Sequence, residues 1–152
     1  MSDSTKFKNI LIPLDGSEYS IKALEYAGIM AKSFNSKLIA LYILPSTIRY
    51  NFSSNKENSE INSPFNQIIQ VSYIEAQNWL KDMRKKMDIE IVVEVIIAKE
   101  SIVSEIIEFA ELRSIDLIIM GTRGRTGFKK LLLGSVASGV VTYAHCPVLV
   151  IR

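Results

Sequence analysis

The chain has 152 residues, a suitable size for one domain with a real core. Hydrophobic residues make up 48% and charged residues 22%, and a net charge of +2 is too small to argue for nucleic-acid binding by bulk electrostatics. Lone Cys146 excludes an internal disulfide framework, and no apolar run approaches the roughly 20 residues of a membrane helix. The polar start MSDSTKFKN runs into a strand without a signal peptide, so a soluble cytoplasmic protein is expected.

Residues 8–15, KNILIPLD, read as a strand buried on both faces, as in the centre of a parallel sheet. Pro13 has no N–H for the ladder, so pairing should loosen there. Asp15-Gly16-Ser17 ends the strand, with Ser17 as N-cap of a helix over 18–34. That helix carries Ile21, Leu24, Ala27, Gly28, Ala31 and Phe34 at helical spacing, and Asn35 can close it in a left-handed conformation. Residues 37–44, KLIALYIL, form a second buried strand. The Ser- and Asn-rich stretch 46–64 has little periodicity and is expected to be a mobile surface insertion rather than a domain boundary.

A long helix is expected over 65–87, with Ile68, Val71, Ile74 (or Glu75), Asn78, Trp79 and Met83 as its inward stripe. The β-branched run 90–98 is a third strand, and its alternating Glu90 and Glu94 suggest an edge. A helix over 101–113 turns Ile102, Val103, Ile106, Ile107 and Ala110 inward, with a weak capping signal at Ser101 and Ser104. IDLIIM, 115–120, is a fourth strand. A glycine-rich basic loop, GTRGRTGFKKLLLGS, then leads into the helical stretch VASGVVTYA, and PVLVIR, 147–152, is the fifth strand.

This β-α alternation predicts an α/β fold: a doubly wound parallel sheet with helices on both faces and right-handed crossovers. Such sheets bind ligands beyond the carboxyl ends of their strands, where strand order reverses. Asp15 and the glycine loop should face each other across that crevice. Glycines let a backbone approach an anion, and unbonded N–H groups near Ser135 and Val136 would point at it. Arg123, Arg125, Lys129 and Lys130 give the loop positive charge, and no acidic residue follows Asp116.

The spacing Gly121-x2-Gly124-x9-Gly134-Ser135, with KNILIPLDGS at the start and CPVLVIR at the end, resembles the ATP-binding branch of the universal stress protein family. The resemblance spans 1–152 as a single nucleotide-binding domain, apart from the insertion. It implies a five-stranded sheet of order 3-2-1-4-5 with four helices, ATP (or AMP or ADP) as ligand, and a homodimer joined through 147–152. It places Asp15 near the nucleotide, the main chain of Ile43 at the adenine, and Met120 and Gly121 at the start of the loop. Gly124 and Gly134 would admit the phosphates, and Ser135 and the amide of Val136 would bind their oxygens. Pro13 and Arg123 complete the candidate site. Two positions depart from the family: Glu100 stands where glycine is common after the third strand, and Tyr42 where histidine is frequent in the second.

Each feature also has a plainer reading. The basic residues could be a solvated face, with only one or two reaching phosphate. The loop lacks the Gly-Lys-Ser/Thr of a P-loop, so its grip would rest on backbone amides. Asp15 could cap the next helix, accept a ribose hydroxyl or help hold Mg²⁺. His145 is assigned to the end of the last helix, Cys146 to packing and Trp79 to helix anchoring, and no His/Cys cluster has metal-ligand spacing. The functional expectation is a dimeric, nucleotide-dependent stress regulator with an unidentified protein partner. The alternatives are a slow ATPase or other nucleotide hydrolase, and a dimerisation module without nucleotide. Nucleic acid and membrane are not expected partners.

Overall fold

The apolar runs of the sequence become neighbouring strands. In the computed structural model, which describes residues 6–47, 63–123 and 133–152 (Phe65 by its backbone only), they form one five-stranded sheet. In chain order the elements are β1 (Asn9–Leu14), α1 (Glu18–Phe34), β2 (Lys37–Leu44), α2 (Pro64–Lys86), β3 (Ile91–Ile97), α3 (Ile102–Leu112), β4 (Leu117–Gly121), α4 (Ser135–Tyr143) and β5 (Val148–Ile151). All pairings are parallel and the order is β3-β2-β1-β4-β5, as the resemblance implied. The expected insertion at 46–64 falls largely on residues 48–62, outside the described residues. Among the described residues, no helix is long and apolar enough to cross a membrane.

Side-chain alternation divides the core into two layers. Ile10, Ile12 and Leu14 of β1 pack with Ala23, Leu24 and Ala27 of α1 and with Ala76, Leu80 and Met83 of α2. Leu11, Leu41, Ile43, Ile118 and Met120 face the other way, against Ile106, Phe109 and Ala110 of α3 and Ala137 and Val140 of α4. Both faces of the central strands are thus covered, which explains their near-continuous apolar sequence.

The expected inward stripe of α2 needs correction. Ile68, Trp79 and Met83 do pack toward the sheet, but Val71 and Ile74 are 66% and 57% exposed, and Asn78 is exposed too. The buried row runs instead through Ser72, Ala76, Leu80 and Met83. Small residues at 72 and 76 let the helix approach the sheet, whereas a stripe drawn through the largest apolar side chains rotates it outward. On α3, Ile106 and Ala110 are buried as expected, and Phe109 and Glu105 join them.

Three helices close their first turns with serine, which explains where they start. The Ser17 hydroxyl accepts from the Ser20 amide at 3.1 Å, Ser63 from the Asn66 amide at 3.2 Å, and Ser101 from the Ser104 amide at 3.1 Å. Ser104 answers by accepting from the Ser101 amide at 3.3 Å, completing a capping box. At the other end of α1, Asn35 adopts φ 53°, the left-handed closure expected there. The amino end of the sheet is tied by Asp116, whose carboxylate accepts from the Lys8 and Asn9 amides at 2.9 and 2.8 Å.

Candidate functional site

The candidate site lies at the carboxyl ends of the central strands. β1 and β2 stay in register from Asn9↔Lys37 to Leu14↔Tyr42. Pairing of β1 with β4 covers only Ile10↔Leu117 and Leu11↔Ile118, so these strands part at the reversal of strand order. Pro13, with no N–H to give, stands beyond that parting, as its chemistry requires. By alternation Pro13 lies on the sheet face of Leu11, which is also the face of Ile43 and Met120. Val136 and Leu133 pack against the same cluster. Four of the expected positions therefore share this face: Pro13, Ile43, Met120 and Val136, while Gly121 ends β4 on the α1 side.

Asp15 closes the turn after β1. Its Oδ1 accepts from the Ser17 amide at 2.8 Å, while Ser17 rather than Asp15 caps α1. Gly16 sits at φ +79°, a conformation that excludes most side chains. Ser20, buried beneath, donates its hydroxyl to the Ser17 carbonyl at 3.0 Å.

The other wall begins at Gly121. A Cβ there would lie 2.8 Å from the carbonyl carbon of Tyr19, so glycine is needed for α1 to reach β4. Arg123 places its guanidinium 5.9 Å from the centre of the Tyr19 ring. Thr122 is buried and donates its amide to the Ile151 carbonyl at 2.9 Å, while its own carbonyl accepts from the Gly134 amide at 2.6 Å. The chain thus returns at Gly134 to the point it left at Thr122. Gly124, Arg125, Lys129 and Lys130, expected in the loop between, lie outside the described residues.

Gly134 is the N-cap of α4, with φ −66° and ψ 163°, and as glycine it makes no side-chain cap bond. The first helical bond runs from the Ser138 amide to the Gly134 carbonyl at 2.9 Å, so the amides of Ser135, Val136 and Ala137 precede any intrahelical acceptor. Ser135, the first residue of α4, is exposed. Partial positive charge from the helix dipole, donors with no intrahelical acceptor and the Arg123 cation suit this end to an anion, the phosphate end of a nucleotide included. The expected reason for glycine at 134 shifts, however. A Cβ there would meet the Thr122 carbonyl oxygen at 3.0 Å and the Arg123 Cα at 3.4 Å, so its clearance is toward the chain's own neck.

Glu100 and His145 are exposed, and Ala144 is the C-cap of α4. Burial of Cys146 raises its thiol above the ordinary 9.0, with the Asp116 carboxylate adding to the rise and hydrogen bonds to its own and the Ile118 backbone opposing it. Tyr42 packs edge-on against Trp79, at 5.1 Å between ring centres. Sequence reasoning missed Tyr19, Thr122 and Glu105. Glu105 is 8% exposed and accepts from the Lys99 amide at 2.7 Å, which closes the turn after β3. Its only sequence signal is an acidic residue in the first turn of a serine-capped helix. Two surface hollows lie elsewhere: one of about 330 Å³ lined by Ser36, Lys37, Asp88 and Glu90, and one of about 380 Å³ lined by Ile69, Tyr73 and Val95. Among the described residues, no group of three or more His, Cys, Asp or Glu is placed to hold a metal ion.

Comparison with known proteins adds to this geometry. A profile of the Universal stress protein family matches residues 6–152. Universal stress protein MJ0531 of Methanocaldococcus jannaschii is 35% identical over 146 residues, covering 96% of this chain and 82% of that protein. The solved structure of MJ0577, from the same organism, superposes with a TM-score of 0.76 at 25% identity, covering 96% of each chain. The universal stress protein from Archaeoglobus fulgidus, solved in complex with dAMP, shares the fold with a TM-score of 0.66 at 20% identity, covering 96% of this chain and 98% of that one.

Proposed function

Because this chain belongs to the universal stress protein family, we propose that it binds an adenine nucleotide, ATP in the first instance and AMP or ADP as alternatives. In this reading, residues 1–152 form one nucleotide-binding domain that acts in the cytoplasm as a dimeric, nucleotide-dependent regulator of a stress response. The observation that carries it is the start of α4, where Gly134 supplies no side-chain cap and Ser135 is exposed. The dAMP bound by the Archaeoglobus fulgidus protein is consistent with it.

The residue roles follow from position. Pro13, Ile43 and Met120 give one end of the crevice an apolar floor for a base, with the Ile43 main chain at its edge. Asp15 presents a carboxylate to a ribose hydroxyl or to Mg²⁺ carried in by the phosphates. Gly121 and Gly124 begin the loop, Arg123 adds a cation, and the Ser135 hydroxyl with the Ser135 and Val136 amides receives phosphate oxygens. Isothermal titration of the purified protein with ATP and Mg²⁺ tests this: saturable heat is expected, and no heat at high micromolar ligand contradicts it.

Hydrolysis is the weaker reading. The residues described around α4's start, Thr122, Arg123, Gly134 and Ser135, supply donors and a cation but no carboxylate to orient water. Phosphate release that vanishes in Asp15→Ala would favour an enzyme.

The dimer part rests on a contrast between the two sheet edges. At the β3 edge, Arg84 donates to the Ile91 carbonyl at 3.0 Å and Arg113 pairs with Glu94 at 2.7 Å. The β5 edge offers Val148, Leu149 and Val150, apolar and half-buried. Charged groups discourage edge pairing, and an apolar edge invites a second copy. The dimer would report nucleotide occupancy to an unidentified protein partner, with neither nucleic acid nor membrane involved. A monomeric mass in light scattering contradicts the dimer.

A further inference from the structure

Trp79 approaches the candidate site from behind the sheet and packs against Gly16 and the ring of Tyr42, the sequence neighbours of two residues that would hold a nucleoside. On one side its indole covers Gly16. An ideal Cβ on that glycine would lie 2.5 Å from Cζ2 of Trp79, 3.0 Å from Cη2 and 3.1 Å from Cε2, so the ring occupies the space a side chain would take. On the other side it meets Tyr42 edge-on, at 5.1 Å between ring centres and 66° between planes. Gly16 directly follows Asp15, and Tyr42 directly precedes Ile43. Leu14, the last residue of β1 and two before Gly16, is the register partner of Tyr42.

The turn that Trp79 covers has a restricted geometry. Gly16 is at φ +79°, and the Asp15 carboxylate is oriented by the Ser17 amide at 2.8 Å. A left-handed glycine is the most mobile point in such a turn, because no Cβ limits it. An aromatic plate against it removes that freedom and holds the carboxylate beside it. Tyr42 is only 8% exposed, so the plate is itself held in place.

We propose that Trp79 is a positioning residue for the nucleoside end of the site, setting the Asp15 turn and the Ile43 strand end relative to each other. This rests on the nucleotide reading above. It separates the site into two parts: the nucleoside end depends on Trp79, and the phosphate end at α4 does not. Trp79 is also the chain's one tryptophan, so tryptophan fluorescence reports on the surroundings of this side chain.

The test is a double-mutant cycle on affinity, with Trp79→Leu, Asp15→Ala and the double variant, titrated with ATP and with inorganic tripolyphosphate. Trp79→Phe, which keeps an aromatic plate, is the rescue variant. Trp79→Leu is expected to weaken ATP binding about tenfold in the wild-type background and hardly at all in Asp15→Ala, the behaviour of coupled neighbours. Tripolyphosphate affinity is expected to stay constant, and Trp79→Phe to recover most of the loss. In the unaltered protein, ATP is expected to shift the tryptophan emission and tripolyphosphate to leave it unchanged. Equal losses in both backgrounds, or a parallel loss of tripolyphosphate binding, would mean that Trp79 serves stability only and would overturn the proposal. If the unaltered protein binds tripolyphosphate and ATP but its affinity is indifferent to Trp79, this inference fails while the nucleotide reading stands. If it binds neither, both fail.

Discussion

α3 and α4 lie side by side on one sheet face, and both begin at the carboxyl end of the sheet, yet their first turns are finished differently. At α3 side chains close the start: the Ser101 hydroxyl takes the Ser104 amide in a reciprocal box, and the Glu105 carboxylate takes the Lys99 amide just upstream. At α4 Gly134 offers no side chain, and the amides of Ser135, Val136 and Ala137 are left to something outside the helix. An unpaired backbone donor is costly when buried and useful when a ligand can reach it. The two helix starts thus differ in whether a side chain closes them, and in the proposed reading the one left open at glycine is the one that receives an anion.

The largest break in this comparison is expected from Gly134→Val. Its Cβ meets the Thr122 carbonyl oxygen at 3.0 Å, so the start of α4 must move off its neck. ATP affinity is expected to fall more than tenfold and stability by about 1–3 kcal/mol, read by titration and urea unfolding. Unchanged affinity would remove α4 from the binding surface. At the sealed end, Glu105→Leu leaves the Lys99 amide without its acceptor and is expected to cost about 1–3 kcal/mol. Glu105→Gln, which keeps an acceptor oxygen, is expected to recover most of that, with ATP affinity little altered.

A matched pair sharpens the contrast further. Ser101→Ala is expected to cost about 1 kcal/mol of stability with affinity unchanged. Ser135→Ala is expected to do the reverse, lowering ATP affinity several-fold while stability stays within about 0.5 kcal/mol. The smallest effect belongs to Cys146, beyond the far end of α4. Burial raises its thiol pKa above 9.0, so the folded state favours the protonated form. The stability linked to this thiol is present in full below its unfolded pKa and is lost as pH rises through the folded value. Alkylation by iodoacetamide at pH 8 is accordingly expected to be slower in the native protein than in the unfolded chain.

What could be read in advance was what neighbouring residues decide. Apolar runs such as KLIALYIL, the serines at 17 and 101 and the left-handed Asn35 all announce themselves locally, alternation gave the doubly wound parallel sheet, and the order of its strands came from the family resemblance. The face of α2 was misread because burial there is decided by how near the helix axis comes to the sheet. Ser72 and Ala76 permit that approach and are inconspicuous in a hydrophobic pattern. The requirement for Gly121 depends on Tyr19, and that for Gly16 on Trp79, contacts between segments remote in sequence. Glu105 likewise reads as an ordinary acidic first-turn residue until its carboxylate is seen on the Lys99 amide.

The central claim is that an anionic tail is received by the first amides of α4. Amide chemical shifts of the labelled protein, followed on adding ATP and then, in a separate sample, adenosine, test it most directly. The Ser135 and Val136 amides are expected to move strongly with ATP and little with adenosine, while the Ser101 and Ser104 amides of the serine-capped helix stay still with both. If ATP left the Ser135 and Val136 amides in place, or adenosine moved them as far, the claim would be contradicted.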